Sequence, residues 1–475
     1  MNRRKPSTIS IILKNLITVL AMVAIVVVLI FLIQGWIINP DGKTVQTGLV
    51  QFATNVSGST VQIDEKTLSE KTTTKYQVVP GKYTFKMTQE GYEPWSRTAS
   101  VGAGEILWLN YARLIPKNKT TESFFDIENL KTVKFSQNKQ KIFAISQDAS
   151  GFAKFWLIEL GENPKTTEII LPEKLFERSL AEGEKHLSNI AGNISIEGLS
   201  ENASRAILKW KNGENYEWLA VNLADVEKSN NLTDEFSLNF SKITARDKNY
   251  TKFYALANNE LREINIENST ISAKILDGIV DFDIYSENIL SYVKSENSVY
   301  SVGIFENGGK TTLVAQNLSS QPKIAIGRYY SENYIHVLSE KTLKIYKGNE
   351  WFGSNQSKIA KTLSLDFDAE NIDLNSEMRI LKISSSQKTV NYDLETSSKY
   401  EISGGDLRWL DDFVLYNREN EKITVRDFDG SNKYSIFEAL SEFGVSLSRD
   451  EKYIYGFKKN SSGNFELVRV KMIIS

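Results

Sequence analysis

The stretch VKFSQNKQKIFAI, residues 133–145, followed by FWLIEL at residues 155–160, sets a pattern that returns through most of the chain. An apolar alternation leads into a short polar turn. An aliphatic and aromatic run follows, and then another. Alternation of period two marks strands, and the polar segments mark turns between them. Seven further copies begin at Ile196, Ile243, Phe282, Ile324, Ile372, Leu407 and Val445. Units recur after roughly 35–50 residues, except for a first interval of about 63. The excess falls at Pro172 to Asn189, PEKLFERSLAEGEKHLSN, which has the composition of an amphipathic helix inserted in a loop.

A period near 40 residues with about four short strands per unit predicts an all-β body with seven or eight blades. One four-stranded sheet cannot bury both faces alone. Sheets packed in a ring bury them against each other. Two stacked sandwiches are the rival arrangement, and a β-helix would need shorter, more regular rungs. FSQNKQKIFAI (135–145) and LSRDEKYIYGF (447–457) resemble the Ser-x-Asp turn of WD-repeat-like and Tol-system-like bacterial β-propellers. The resemblance covers residues 120–475 and implies a β-propeller. The Gly-His and Trp-Asp pairs of eukaryotic-type WD repeats are absent.

Ahead of this body, residues 48–116 form a separate pattern. Val61 and Ile63 alternate before a turn at Asp64–Lys66. Pro80-Gly81 marks another turn, and Tyr83, Phe85 and Met87 share one face of the next strand. Short strands separated by Gly and Pro predict a small antiparallel β-sandwich. VQIDEKTLSEKTTTKYQVVPGKYTFKMTQEGYEPW and ASVGAGEILWLNYARLIP resemble the PEGA domain family in the order and spacing of their turns. Thr74-Lys75 and Asn55–Ser59 depart from its usual turn residues. The resemblance implies an envelope or surface module without catalytic residues, often anchored and joined to larger extracytoplasmic domains. Tyr92, Trp95 and Trp108 read as core or rim aromatics, with a glycan or peptide platform as the alternative.

The N-terminus carries an uncharged apolar run, LITVLAMVAIVVVLIFLI, residues 16–33, extended by Trp36, Ile37 and Ile38. Arg3, Arg4, Lys5 and Lys14 precede it, and Asp41 and Lys43 follow. Such a run is expected to cross a bilayer with the basic end inside. A cleaved secretory signal is the alternative, although no small-residue cleavage site follows in QGWIINPDG (34–42). The expected layout is therefore a cytoplasmic basic tail (1–15), a transmembrane helix (16–38), a linker (39–47), the PEGA-like sandwich (48–116) and the propeller (120–475). The expected location is a bacterial cell membrane, single-pass, with the C-terminal domains outside and the bilayer a partner through residues 16–38.

Composition narrows the chemistry. Net charge is −2, with basic and acidic residues mixed, so no nucleic-acid partner is expected. Cysteine is absent, which excludes disulfides and thiol nucleophiles. The N-x-[ST] sequons, among them Asn118, Asn193 and Asn202, follow from a chain rich in Asn and Ser. The two histidines, His186 and His336, lack a second ligand at metal spacing. Asp281 with Asp283, and Asp411 with Asp412, are the carboxylate pairs a glycosidase would need, yet both sit where turns and strands explain them. Asp427–Asn432 is either a hairpin turn or a short calcium loop. Gly102–Gly104 opens no helix and is not a phosphate cradle. No catalytic, metal or cofactor-binding residue is assigned, and no cofactor is expected. The expected function is a membrane-anchored envelope protein that displays its propeller for binding or scaffolding, with an envelope protein or wall glycan as ligand. The alternative is an anchored hydrolase or lyase acting on envelope polysaccharide or peptide.

Overall fold

The Ser-x-Asn turn of residues 136–140 shows how each repeat is pinned. In the computed structural model the Ser136 hydroxyl donates to Asn138 Oδ1 at 2.8 Å and accepts the Lys141 amide at 2.9 Å. Ser200 does the same for Arg205 at 2.9 Å, and Ser448 for Tyr453 at 3.0 Å. Elsewhere a carboxylate or amide oxygen takes over. Asp247 caps the Thr251 and Lys252 amides, Asn375 those of Arg379 and Ile380, and Asp411 those of Phe413 and Val414. Short polar side chains bond their own backbone and so fix each hairpin. The structure describes residues 8–38, 42–176, 190–306, 308–351 and 358–474, which divide into two units, one up to Asn118 and one from Lys119.

Among the described residues the second unit holds eight sheets, and each repeat marked in the sequence supplies one. The first four run from Leu130 to Ile169, Ile194 to Asn231, Phe240 to Asp277 and Ile279 to Leu318. The next three run from Lys323 to Ser364, Asn371 to Ser403 and Arg408 to Glu438. The eighth combines three C-terminal strands with one from the start of the unit. Thr121–Ile127 pairs antiparallel with Phe465–Lys471, setting Thr121 against Val470. Arg469 reinforces this seam with a 2.8 Å bond from Nε to Glu122.

Neighbouring sheets bury their faces against each other in sequence. Phe143 and Phe155 meet Leu208 and Trp210. Tyr254 and Leu256 meet Phe282 and Leu290; Val293 and Ile304 meet Ile326 and Ile335. Tyr455 and Phe457 of the eighth sheet meet Ile142 and Ile158 of the first, closing the ring. Second strands are therefore buried on both faces, as along Glu332–Ser339 and Ile380–Ser384. Outer strands such as Lys358–Ser364 are exposed and carry Lys358 and Lys361, charges that discourage edge pairing. The ring is propeller-like, with eight sheets.

The first unit contains a two-layer sandwich. One sheet orders Lys66–Lys71, Thr60–Ile63, Gly81–Thr88 and Trp95–Val101; the other orders Thr74–Val78, Gly48–Thr54 and Ile106–Ala112. The expectation of a wholly antiparallel sandwich needs correcting. Gly48–Thr54 and Ile106–Ala112 run parallel, with Leu49 opposite Ile106. These are the first and last strands of the sandwich, and the chain between them crosses to the other sheet. That route permits parallel pairing. Val50, Phe52, Val61, Phe85, Met87, Trp95 and Leu109 form the core. Tyr92 is buried with them, while Trp108 is half-buried. Gly91, at φ +82, occupies the left-handed region before Tyr92.

The expected anchor also needs correcting. The apolar run forms helix α1, Thr8–Ile33, but the chain leaves the helix there. Gly35 has φ +75, and Trp36–Ile38 is a strand paired antiparallel with Thr44–Gln46, not a helical extension. Among the described residues no helix is long and apolar enough to cross a membrane. The transmembrane helix at 16–38, its bilayer contact and the single-pass topology with a cytoplasmic N-terminus are not retained. Residues 1–7 of the basic tail, 39–41 of the linker, and 177–189 of the insertion, with His186, lie outside the described residues.

Candidate functional site

First strands of successive sheets lie side by side, and four of them enclose a cavity of about 560 Å³. Its walls come from Lys242 in the third sheet, residues 281–284 in the fourth, 323–326 in the fifth and 370–376 in the sixth. The volume falls within the range of ordinary ligand pockets, and six charged side chains stand among its apolar lining residues.

The V-D-F-D-I alternation of residues 280–284 delivers two carboxylates here. Asp281 Oδ1 accepts from Lys242 Nζ at 2.8 Å, and the same ammonium donates to the Phe282 carbonyl at 2.6 Å. Asp283 is held differently. Its Oδ1 accepts the Ile284 amide and its Oδ2 the Ile326 amide of the next sheet, each at 3.0 Å. Among the described residues no cation lies within ion-pairing distance of it. Burial pushes the Asp283 carboxyl up to about 6, a rise that Asp281 reinforces. The two amide bonds and Lys242 pull the other way without cancelling it.

Across the cavity, Asp373 Oδ2 accepts from Trp409 Nε1 at 2.7 Å, and Oδ1 lies 3.4 Å from Lys382 Nζ. Lys382 also donates to the Leu407 carbonyl at 2.8 Å. Glu370 accepts the Ser386 amide at 3.2 Å, and Lys323 is exposed.

The other sequence candidates lie elsewhere in the ring. His336 sits on a second strand, fully buried beside Tyr334. Its Nδ1 lies 3.2 Å from the Ala325 carbonyl, which can only accept, so this nitrogen carries the proton. Nε2 has no partner, and burial pushes the imidazole down to about 4. His336 is thus a neutral core residue and does not line the cavity.

Asp411 caps its own hairpin. Asp412 accepts the Ser376 hydroxyl, and burial raises its carboxyl with help from Glu377. In the Asp427–Asn432 loop Asn432 donates to Asp427 at 2.8 Å, and the Ser431 amide to Asp429 at 3.0 Å, around Gly430 at φ +85. These bonds make a hairpin turn. Among the described residues no group of three or more His, Asp or Glu side chains is placed to hold a metal. In Gly102–Gly104 the Gly102 amide donates to Glu105 Oε2 at 2.6 Å.

One network escaped the sequence reading. Buried Arg379 grips buried Asp393 through Nε at 3.0 Å and Nη2 at 2.9 Å, and reaches the half-buried Glu395 through Nη1 at 2.5 Å. A lone Arg and Asp fourteen positions apart give no local signal of this pairing.

Residues 47–115 match the PEGA domain model. No curated protein matches the chain. Among solved structures, PorZ is similar at 12% identity, with a TM-score of 0.40 over 72% of this chain and 43% of that one. It is described as an essential bacterial surface component of the type-IX secretion system of Porphyromonas gingivalis. This chain therefore spans less than half the length of PorZ. A eukaryotic initiation factor is similar at 13% identity and TM-score 0.43, over 73% of this chain and 87% of that one. An oligogalacturonate lyase from Vibrio parahaemolyticus reaches 9% and 0.36, over 72% and 98%. At such scores these likenesses carry no argument about function. The resemblances read from the sequence reduce to a PEGA domain and distant propeller-like relatives, and nothing in the comparisons supports a membrane anchor or a wall-glycan ligand.

Proposed function

We infer that the ring is a non-catalytic protein-binding module whose inner-strand cavity receives a segment of a partner protein. The observation that carries this reading is a cavity walled by four successive first strands and lined by charges of both signs. Carboxylates poised for acid–base work would need freedom to exchange protons with a substrate. Asp281 and Asp373 are instead tied to Lys242 and Lys382, Asp283 is held by two backbone amides, and His336 faces the core. Charged groups fixed in this way suit electrostatic selection of a partner.

The test is photo-crosslinking in the full chain. A photoreactive side chain at position 323, inside the cavity, is compared with one at position 361, on an outer strand. Each is irradiated with a randomised decapeptide pool. Peptide adducts at 323 and few at 361 are expected. Equal labelling at both positions, or cleavage of the pool, would overturn the reading.

A further inference from the structure

The cavity wall holds a carboxylate, Asp283, that no cation pairs with among the described residues. Lys242 is committed to Asp281 and the Phe282 carbonyl, Lys382 to Asp373 and the Leu407 carbonyl, and the exposed Lys323 of the same wall makes no ion pair with Asp283. Asp283 receives only two backbone amides, one from its own strand and one across the sheet boundary. Those bonds fix both oxygens in direction while each keeps lone-pair capacity toward the cavity. The carboxyl is half-buried and lines the open volume. An anion drawn partly out of water in this way is costly until a cation pairs with it.

Resting on the reading above, we propose that Asp283 is the specificity residue of the cavity, selecting an alkylammonium or guanidinium group, a lysine or arginine side chain of the partner protein. The occupant's cation would complete the coordination that Lys242 supplies to Asp281 and Lys382 to Asp373. Formal charge agrees: Asp281, Asp283, Glu370 and Asp373 of the wall outnumber Lys242, Lys323 and the adjacent Lys382. The raised protonation range of Asp283 is the expected mark of a carboxylate whose counter-ion arrives with the ligand.

The experiment measures binding of the full chain to four decapeptide pools, each with one fixed central residue: Lys, Arg, norleucine or Glu. Butylammonium alone is a fifth probe, separating a side chain presented by a polypeptide from a free amine. Lys and Arg pools binding at least about tenfold more tightly than norleucine is expected, with Glu weakest. In D283N the preference should fall to within about twofold. In the wild type the same preference should shrink as pH drops from about 7.5 to 5, which tests the proposal without any variant. Lys and norleucine pools binding alike would overturn the cation assignment and leave the peptide-binding reading standing. Butylammonium matching the Lys pool would overturn the partner side chain as its source. Failure of every pool would overturn the peptide-binding reading itself.

Discussion

Asp283 makes a prediction about stability as well as about binding. Its carboxyl is held at about 6 in the folded chain against an ordinary value of 3.8. Between those values the folded state keeps a proton that the unfolded state has lost. Stability from this group is therefore complete below the ordinary value and declines as pH rises toward 6. A rise of about two units at ~1.4 kcal/mol each sets a ceiling near 3 kcal/mol, and solvent reaching the cavity brings it to about 1–2 kcal/mol. D283N removes the titration. It also disturbs one of the two amide bonds, but that cost does not vary with pH. Denaturant unfolding of wild type and D283N should be followed from about pH 4 to pH 8. The variant should gain about 1–2 kcal/mol relative to wild type across the window. Parallel curves, or a difference of opposite slope, would refute the placement of an uncompensated carboxylate in the cavity wall.

Other perturbations address the frame. Arg379→Met strands the fully buried Asp393 and should cost about 3–5 kcal/mol in chemical denaturation, since the remaining charge is uncompensated. Trp95→Ala empties the centre of the sandwich core and should lower that unit's unfolding transition by about 3–5 kcal/mol, leaving the ring's transition in place. Ser448→Ala removes the hydroxyl that bonds both Asp450 and the Tyr453 amide, so a loss of about 1–2 kcal/mol is expected, read from the denaturation midpoint.

What could be read from the residues follows the range of the interactions. Ser136, Ser200 and Ser448 announce their turns because their bonds reach only five positions along the chain. The eight repeats are legible for the same reason, since each is a local set of hairpins. Long-range pairings leave no comparable trace. Nothing in Gly48–Thr54 indicates a parallel partner at Ile106–Ala112, because pairing direction depends on the route between them. Trp36–Ile38 reads as a continuation of the apolar helix, yet it pairs with a strand that begins at Thr44. The alternation around Asp281 and Asp283 marks two carboxylates but not their fates. Lys242, 39 positions earlier, neutralises one, and the Ile326 amide, 43 positions later, orients the other. A cavity is made by neighbouring sheets and so lies beyond any single repeat.

The most direct test of the central claim is hydrogen exchange of the full chain with and without a saturating mixed-charge peptide pool. Binding at the inner strands should slow exchange at residues 281–284, 323–326 and 371–374, leaving the outer strand Lys358–Ser364 unchanged. Protection confined to outer strands, or no protection anywhere, would contradict the account.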